Sequence, residues 1–350
     1  MDYGIAVATT TESWKVVKRA EELGFSNAWF YDTQLLNPDV FMGMTMAAMH
    51  TSKIRLGTGV LIPSNRIEPV TANALVTLNK LAPGRVDFGV GTGFTGRRTM
   101  GLKAIPLRRM KTYIERVQKL VLGETITWDF EGETHDIGFL NPEFGLINVN
   151  DPIPLHISAF GRRSRALTAE LGAGWLNFGS AEGVAFGSLK KMQAAWAEAR
   201  RDEALHSTLF ALGCVLRDGE GYDCERAIAQ AGTSVAVFFH DMAETTEPGS
   251  MERAMGKEVS DLIEQYREIY LGYPEQQRHL LNHKGHLMFL KPEERHLITG
   301  DLIKAMTFTA DAAELRDRLK RLEQAGYNQF TVQIVEGQES ALEDWAELFF

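Results

Sequence analysis

Residues 54–96 read IRLGTGVLIPSNRIEPVTANALVTLNKLAPGRVDFGVGTGFTG, and this stretch decides the fold because it completes one structural unit and opens a second. Two short apolar, β-branched runs, 54–60 and 85–90, each end in glycines, and between them 69–81 repeats apolar residues at helical spacing. Strands buried on both faces and joined by a helix form a βαβ unit, which implies a parallel pair with a right-handed crossover. Glycines at the strand ends admit positive φ and let the backbone approach a ligand. Function is therefore expected at the carboxyl ends of the strands.

Outward from this unit the same alternation continues. Strands are predicted over 4–8, 27–31, 54–60, 85–90, 154–158, 174–177, 209–215 and 329–335. Helices are predicted over 12–23, 39–49, 69–81, 106–122, 162–171, 181–199, 311–325 and 340–348. Eight strands alternating with helices predict a single α/β domain over 1–350, a (β/α)8 TIM barrel rather than a doubly wound sheet. Leu23-Gly24, Leu171-Gly172 and Ala325-Gly326 read as glycine C-caps shortly before strands. Two insertions interrupt the rhythm: 123–152 after the fourth strand, with a hairpin turning at Glu131-Gly132, and 217–310 after the seventh. The second carries a polar segment, 241–253, expected to be mobile, and a helical stretch over 258–270. Placed between a strand end and its helix, it overhangs the catalytic face and reads as an active-site lid.

A net charge of −9 and a pI near 5.6 argue against a nucleic-acid partner, which calls for a basic face. Cys214 and Cys224 are too few for a disulfide framework. The first residues lack a basic region followed by an apolar core, and no apolar run approaches the ~18 residues of a membrane span. The expectation is a cytoplasmic protein that acts on a small molecule, with no membrane partner.

Gly91, Gly93 and Gly96 satisfy GxGxxG after a strand, the fingerprint of a dinucleotide site. That fingerprint needs a helix opening within the motif and an acid about 20 residues on; here the next helix is predicted only near Pro106. A glycine-rich turn clearing room at a barrel mouth fits better. The second candidate is the strand over 154–158, which runs through Gly161 into a helix opening at Arg162 with Ser164 in its first turn. Free N–H groups and the helix dipole there make a phosphate site. Arg162, Arg163 and Arg165 add positive charge, as do Arg97 and Arg98 after the preceding strand; the plainer alternative is that the arginines solvate a helix start.

His279, His283 and His286 are spaced four and three apart on a candidate helix, but Gly285 disfavours helix and no carboxylate completes a metal set, so surface or lid histidines are the plainer reading. His286, beside apolar residues of GHLMFL, is retained as a candidate acid or base. Trp29, Phe30, Trp175, Phe178, Met42, Met44, Met46 and Met49 read as core or subunit-interface packing. Ser180 in Ser180-Ala-Glu-Gly and Cys214 have no partner for nucleophilic catalysis. A metal-dependent barrel hydrolase needs ligands at several strand ends, where Ala8, Val60, Gly91, Ser158 and Gly179 offer none.

Several segments resemble the bacterial-luciferase-like family of flavin- or deazaflavin-dependent barrel oxidoreductases. They are GIAVATTTESWKVVKRAEELGFSNAWFYD at 4–32, TGVLIPSNRIEPV at 58–70, LAPGRVDFGVGTG at 81–93, PLHISAFGRRSRALTAELGAGW at 154–175 and AELRDRLKRLEQAGYNQFTVQIV at 313–335. The resemblance implies a homodimer, with 39–49 and 69–81 at the interface, holding reduced FMN or its deazaflavin counterpart at the barrel mouth. It puts the cofactor phosphate on Ser158, Ala159, Phe160, Gly161 and Arg162, and the ring over Thr58, Gly59 and Val60, near Gly91 and Gly93, where members often carry a bulged or cis non-prolyl peptide. Gly59-Val60 is the candidate for that bond.

The chain departs from the family after Asp32, where many members carry histidine and this sequence has Thr33-Gln34. A mechanism using that histidine does not transfer, although Thr33 and Gln34 retain hydrogen-bonding groups for a substrate or flavin edge. The reading expected is a two-component monooxygenase that receives reduced FMN from a separate reductase partner and oxidises a small organic substrate, since the barrel shows no second nicotinamide site. The lid excludes water, with Phe238, Phe239, His240, His286 and Met288 as expected lining residues. The alternatives are a deazaflavin-dependent hydride-transfer dehydrogenase or reductase, and a non-catalytic flavin-binding homologue.

Overall fold

The computed structural model describes residues 1–179 and 181–350, so Ser180 lies outside the described residues. Among them, eight parallel strands close into a barrel: β1 Asp2–Val7, β2 Asn27–Phe30, β3 Arg55–Thr58, β4 Val86–Val90, β5 Leu155–Ser158, β6 Gly174–Phe178, β7 Ser207–Ala211 and β8 Gln329–Ile334. β8 pairs with both β7 and β1, which closes the ring. The barrel helices are α1 Ser13–Leu23, α2 Val40–His50, α3 Glu68–Leu81, α4 Leu107–Val121, α5 Arg162–Glu170, α6 Glu182–Glu198, then, past the lid helices α7 Glu225–Thr245 and α8 Lys257–Gly272, α9 Ala312–Ala325 and α10 Ala341–Phe349. The predicted TIM barrel is the observed fold. Gly24, Gly172 and Gly326 all carry positive φ at helix ends, as their C-cap reading requires.

The main apolar core fills the space between the barrel's outer face and its helices, with Ile5, Phe30, Leu56, Phe88, Ile157, Trp175 and Phe330 buried there. The inside of the barrel is different. Arg55 of β3 forms a two-pronged ion pair with Asp87 of β4 at 2.7 and 2.9 Å, and His156 Nε2 of β5 lies 3.5 Å from the same carboxylate. Above this layer Trp29 Nε1 donates to Gln329 Oε1 at 3.0 Å. Gly57 is what admits the indole: a Cβ there would stand 2.4 Å from Trp29 Cε3.

The seventh strand begins at Ser207 and ends at Ala211, earlier than its apolar run suggests. Beyond it Gly213 lets the chain pass against Phe308, where a Cβ would lie 2.1 Å from the Phe308 carbonyl oxygen, and Val215–Leu216 pairs separately with Ala310–Asp311. The 123–152 insertion follows α4 and precedes β5, so its hairpin, Ile126–Phe130 with Glu133–Ile137, stands at the amino ends of the strands, away from the mouth. A cavity of about 640 Å³ between the end of α3 and residues 142–151 of the insertion shares that remote position.

The 217–310 insertion leaves from the carboxyl end of β7 and folds as a lid with its own core, in which Val235 and Phe239 of α7 pack on Ile263 and Tyr266 of α8 and on Leu297 and Ile303. The start of the polar segment expected to be mobile belongs to α7, which runs to Thr245. No helix among the described residues is long and apolar enough to cross a membrane.

Candidate active site

The carboxyl ends of β2, β3, β4 and β5 carry the predicted cofactor residues side by side, since these strands are neighbours in that order. The Gly59–Val60 peptide is cis, at the position expected for the ring shelf. Gly59 N–H donates to the Phe30 carbonyl at 2.7 Å, tying the shelf to β2. Thr58 is spent on structure: its Oγ1 donates to the Gly89 carbonyl at 2.7 Å and accepts from Gly89 N–H at 3.0 Å. Gly91 stands between the two halves of the site. A Cβ on it would lie 2.7 Å from Val60 Cγ2 and 3.5 Å from Ser158 Cβ, so the bare backbone keeps shelf and cradle adjacent.

β5 ends at Ser158, and Ala159 is buried with its carbonyl accepting from Trp175 Nε1 at 2.9 Å, while Phe160, Gly161 and Arg162 are exposed. Ser164 Oγ accepts from Gly161 N–H at 3.1 Å and donates to its carbonyl at 3.0 Å, which squares the chain for entry into α5. The first-turn N–H groups of Arg162, Arg163 and Ser164 have no intrahelical acceptor. A Cβ on Gly161 would meet nothing nearer than Ser164 Oγ at 3.7 Å, so the loop opens on free space. An open helix start with unspent N–H groups and arginines fits a phosphate.

Arg97 and Arg98 do not join this cradle. Arg97 Nε donates to the Lys103 carbonyl at 2.6 Å, and Arg98 stacks on Phe94 and pairs with Asp241 at 2.9 Å and Glu244 at 3.2 Å, both on α7. A short helix, Phe94–Arg98, opens directly after Gly93, earlier than the helix expected near Pro106. Gly93 holds φ 77° to start it, and Gly96 packs on Ile62 and Gln34. The closed barrel leaves no Rossmann unit for the glycine motif to serve.

Thr33 and Gln34 lie past β2 beside Asp32, which accepts from Arg66 at 3.0 Å, from Asn65 Nδ2 at 3.2 Å and from Ile62 N–H at 3.2 Å. Gln34 Oε1 accepts from Asn65 Nδ2 at 2.7 Å, and its Nε2 donates to the Gly96 carbonyl at 2.5 Å, so its amide bridges the loops after β2, β3 and β4. The Thr33 carbonyl accepts from Asn37 N–H at 2.8 Å. The wall of the mouth is apolar, built from Tyr31, Val60, Phe178, Leu212, Leu287 and Val335. Tyr31 Oη donates to Gln333 Oε1 at 2.8 Å, and Gln333 Nε2 donates to the Leu287 carbonyl at 2.5 Å, which latches the lid onto the barrel. Burial pushes the Tyr31 phenol well above its ordinary pKa, so it is a neutral donor.

His286 is half-buried at this latch, with Nε2 3.2 Å from Thr95 Oγ1. Burial, and secondarily His283 and His240, hold its pKa well below the ordinary histidine value. Of the other expected lid residues, Phe239 belongs to the lid's own core, His240 is buried against Glu294 at 2.8 Å, and Met288 Sδ accepts from Asn37 Nδ2 at 3.3 Å. The predicted histidine row is broken: the helix Arg278–His283 stops and Gly285 turns the chain at φ 75° before His286, while His279 lies near Gly101. The residue that takes its place, His240, is 43 positions upstream of His283, and no spacing rule reveals it.

Residues 5–329 match the family model described as luciferase-like monooxygenase, and the chain belongs to that family. It is 31% identical over 184 residues, 50% of this chain and 52% of the relative, to a 5,10-methylenetetrahydromethanopterin reductase of Archaeoglobus fulgidus. It is 29% identical over 175 residues, 45% of this chain and 49% of the relative, to an F420-dependent glucose-6-phosphate dehydrogenase of Kineococcus radiotolerans. The chain spans about half the length of the curated relatives it matches. Among solved structures it superposes on a coenzyme F420 dependent tetrahydromethanopterin reductase from Methanopyrus kandleri with a TM-score of 0.73, at 20% identity, covering 99% of this chain and 97% of that one. It also superposes on the FMN-bound oxygenating constituent of 3,6-diketocamphane monooxygenase from Pseudomonas putida with a TM-score of 0.64, at 11% identity, covering 100% of this chain and 96% of that one. These likenesses bear out the TIM barrel and the luciferase-like family.

Proposed function

We propose that the protein is a deazaflavin-dependent oxidoreductase that moves a hydride between coenzyme F420 and a small organic substrate. The observation that carries this reading is the likeness, at about 30% identity, to reductases and F420-dependent dehydrogenases. In it the first turn of α5, with Ser158, Ala159, Phe160, Gly161 and Arg162, holds the cofactor phosphate. Thr58, Gly59 and Val60, with Gly91 and Gly93 behind them, carry the ring. The bound cofactor supplies the hydride chemistry. The chain's own residues orient it, and the lid with Tyr31, Phe178, Leu212 and Leu287 keeps water from the mouth. The same reading expects a homodimer through α2 and α3, where Met42, Met46, Met49 and Val70 are exposed and Met44 is core.

A second reading, a monooxygenase using FMN reduced by a partner reductase, is favoured by Thr33 standing where many family members have histidine. Anaerobic titration with reduced F420 and with reduced FMN, followed by oxygen, separates the two. Binding of F420 alone and indifference to oxygen supports hydride transfer. Tight binding of FMN with substrate-dependent oxygen consumption establishes the second reading.

A further inference from the structure

The lid gathers three histidines from separate elements. His240 from α7, His283 from the end of the helix Arg278–His283 and His286 from the turn after it each bring one ring nitrogen to within 4.8 Å of the other two. His240 and His283 are each 2% exposed. The rings are steeply inclined, at 83° for His240 and His283 and 71° for His283 and His286, so neither pair stacks.

Two of the rings are hydrogen-bonded from outside the cluster through Nε2, and the third has a carboxylate beside it. His240 Nε2 lies 2.8 Å from Glu294 Oε2, His283 Nε2 is 3.1 Å from Glu244 Oε1 though out of hydrogen-bond alignment, and His286 Nε2 is 3.2 Å from Thr95 Oγ1. These acceptors are themselves fixed: Glu294 by Lys291 Nζ at 3.2 Å and Lys291 N–H at 3.0 Å, Glu244 by Asn282 Nδ2 at 2.7 Å and by Arg98. Among the described residues, the Nδ1 atoms of all three rings and Nε2 of His283 are buried without a hydrogen-bond partner. Buried polar atoms are ordinarily paired, so four orphans in one cluster require a reason. At His240 and His286 a hydrogen-bond partner on one side of the imidazole and an unspent nitrogen on the other is the arrangement that orients a histidine for a metal ion.

We propose that His240, His283 and His286 form a binding site for a divalent transition-metal ion of the zinc type, with the remaining coordination position open to water. Three imidazoles without a carboxylate in the set suit zinc, cobalt, nickel or copper, not magnesium or calcium. A triangle with edges of at most 4.8 Å has its centre at most about 2.8 Å from each corner, against ~2.0–2.1 Å for a zinc–nitrogen bond, so ligation draws each ring inward by about 0.7 Å at most. The ion would join α7 to the chain beyond α8. Through His286 and Thr95 it would also fasten the lid to the loop after β4. Its role is a clamp on the lid, independent of which cofactor the barrel takes.

The test uses the full-length protein stripped with a chelator and titrated with Co2+ and Zn2+. One equivalent of Co2+ should give the visible absorption of a nitrogen-ligated ion, Zn2+ should abolish it stoichiometrically, and saturating Zn2+ should raise Tm. His283→Gln and His286→Gln should each weaken binding at least 100-fold, while His279→Gln, outside the cluster, should bind as the parent does. Should the buried variants fail to fold, zinc-edge X-ray absorption of the wild-type complex reads the ligands directly. Three imidazoles support the site. Fewer than three, weak binding of several equivalents, or Co2+ absorption that survives the loss of His283 overturns it.

Discussion

Replacing Gly161 with valine separates cofactor binding from folding more cleanly than any other change at the mouth. Gly161 adopts φ −89° and ψ 160°, an extended conformation that suits a β-branched residue, and the nearest atom to an added Cβ is Ser164 Oγ at 3.7 Å. Stability should therefore change by less than ~1 kcal/mol, with the loss of glycine's unfolded-state entropy favouring the variant. Binding is another matter, because the same residue borders the free N–H groups of Arg162, Arg163 and Ser164. A hydrogen bond to a charged group contributes ~1.5–3 kcal/mol. Displacing a phosphate from two such donors costs about 3 kcal/mol or more, which is ~100-fold or greater in Kd. Thermal melts and anaerobic titration with the reduced cofactor, run on parent and Gly161→Val, measure both quantities. Unchanged affinity in a variant of normal Tm would refute the phosphate assignment.

Other substitutions test the frame around the site. Gly57→Ala should lower stability by ~1–3 kcal/mol and Tm by several degrees in calorimetry, because the new methyl group falls 2.4 Å from Trp29 Cε3 inside a closed barrel. Burial alone would raise the pKa of Asp87, but hydrogen bonds from His156 and Arg55 hold it below the ordinary carboxylate range. Its stabilising contribution is thus complete above the unfolded value of ~3.9 and is lost as pH falls through the lower folded value. Denaturant melts of Asp87→Asn should show that loss removed at acid pH, with ~2 kcal/mol less stability at pH 7 from the orphaned Arg55. Arg98→Ala should free α7 from the loop after β4, speeding hydrogen exchange over 225–245 while leaving the exchange of β1–β8 unaltered.

The barrel was legible because its strands are short, apolar and separated by helices of ordinary length, and the turn chemistry at Gly24, Gly172 and Gly326 agreed with the periodicity. The resemblance also located the cis bond at Gly59–Val60. What escaped the sequence was the inside of the barrel. Arg55, Asp87 and His156 alternate with apolar residues in runs that read as wholly apolar strands, and their pairing depends on strand neighbours that no local window contains. The lid was harder for the same reason. The spacing of His279, His283 and His286 suggested one helix face, yet Gly285 breaks it, and the true neighbour of His283 comes from α7. Arg98 likewise carries charge that suits a phosphate, but the acids that claim it, Asp241 and Glu244, come from α7, far away in sequence.

The central claim concerns where the cofactor lies, and a crystal structure of the protein with F420 bound tests it most directly. The account predicts the phosphate within hydrogen-bond distance of the N–H groups of Arg162, Arg163 and Ser164, with the ring against Gly59 and Val60 beneath the lid. A cofactor bound elsewhere, or a phosphate held by residues other than the start of α5, would contradict it.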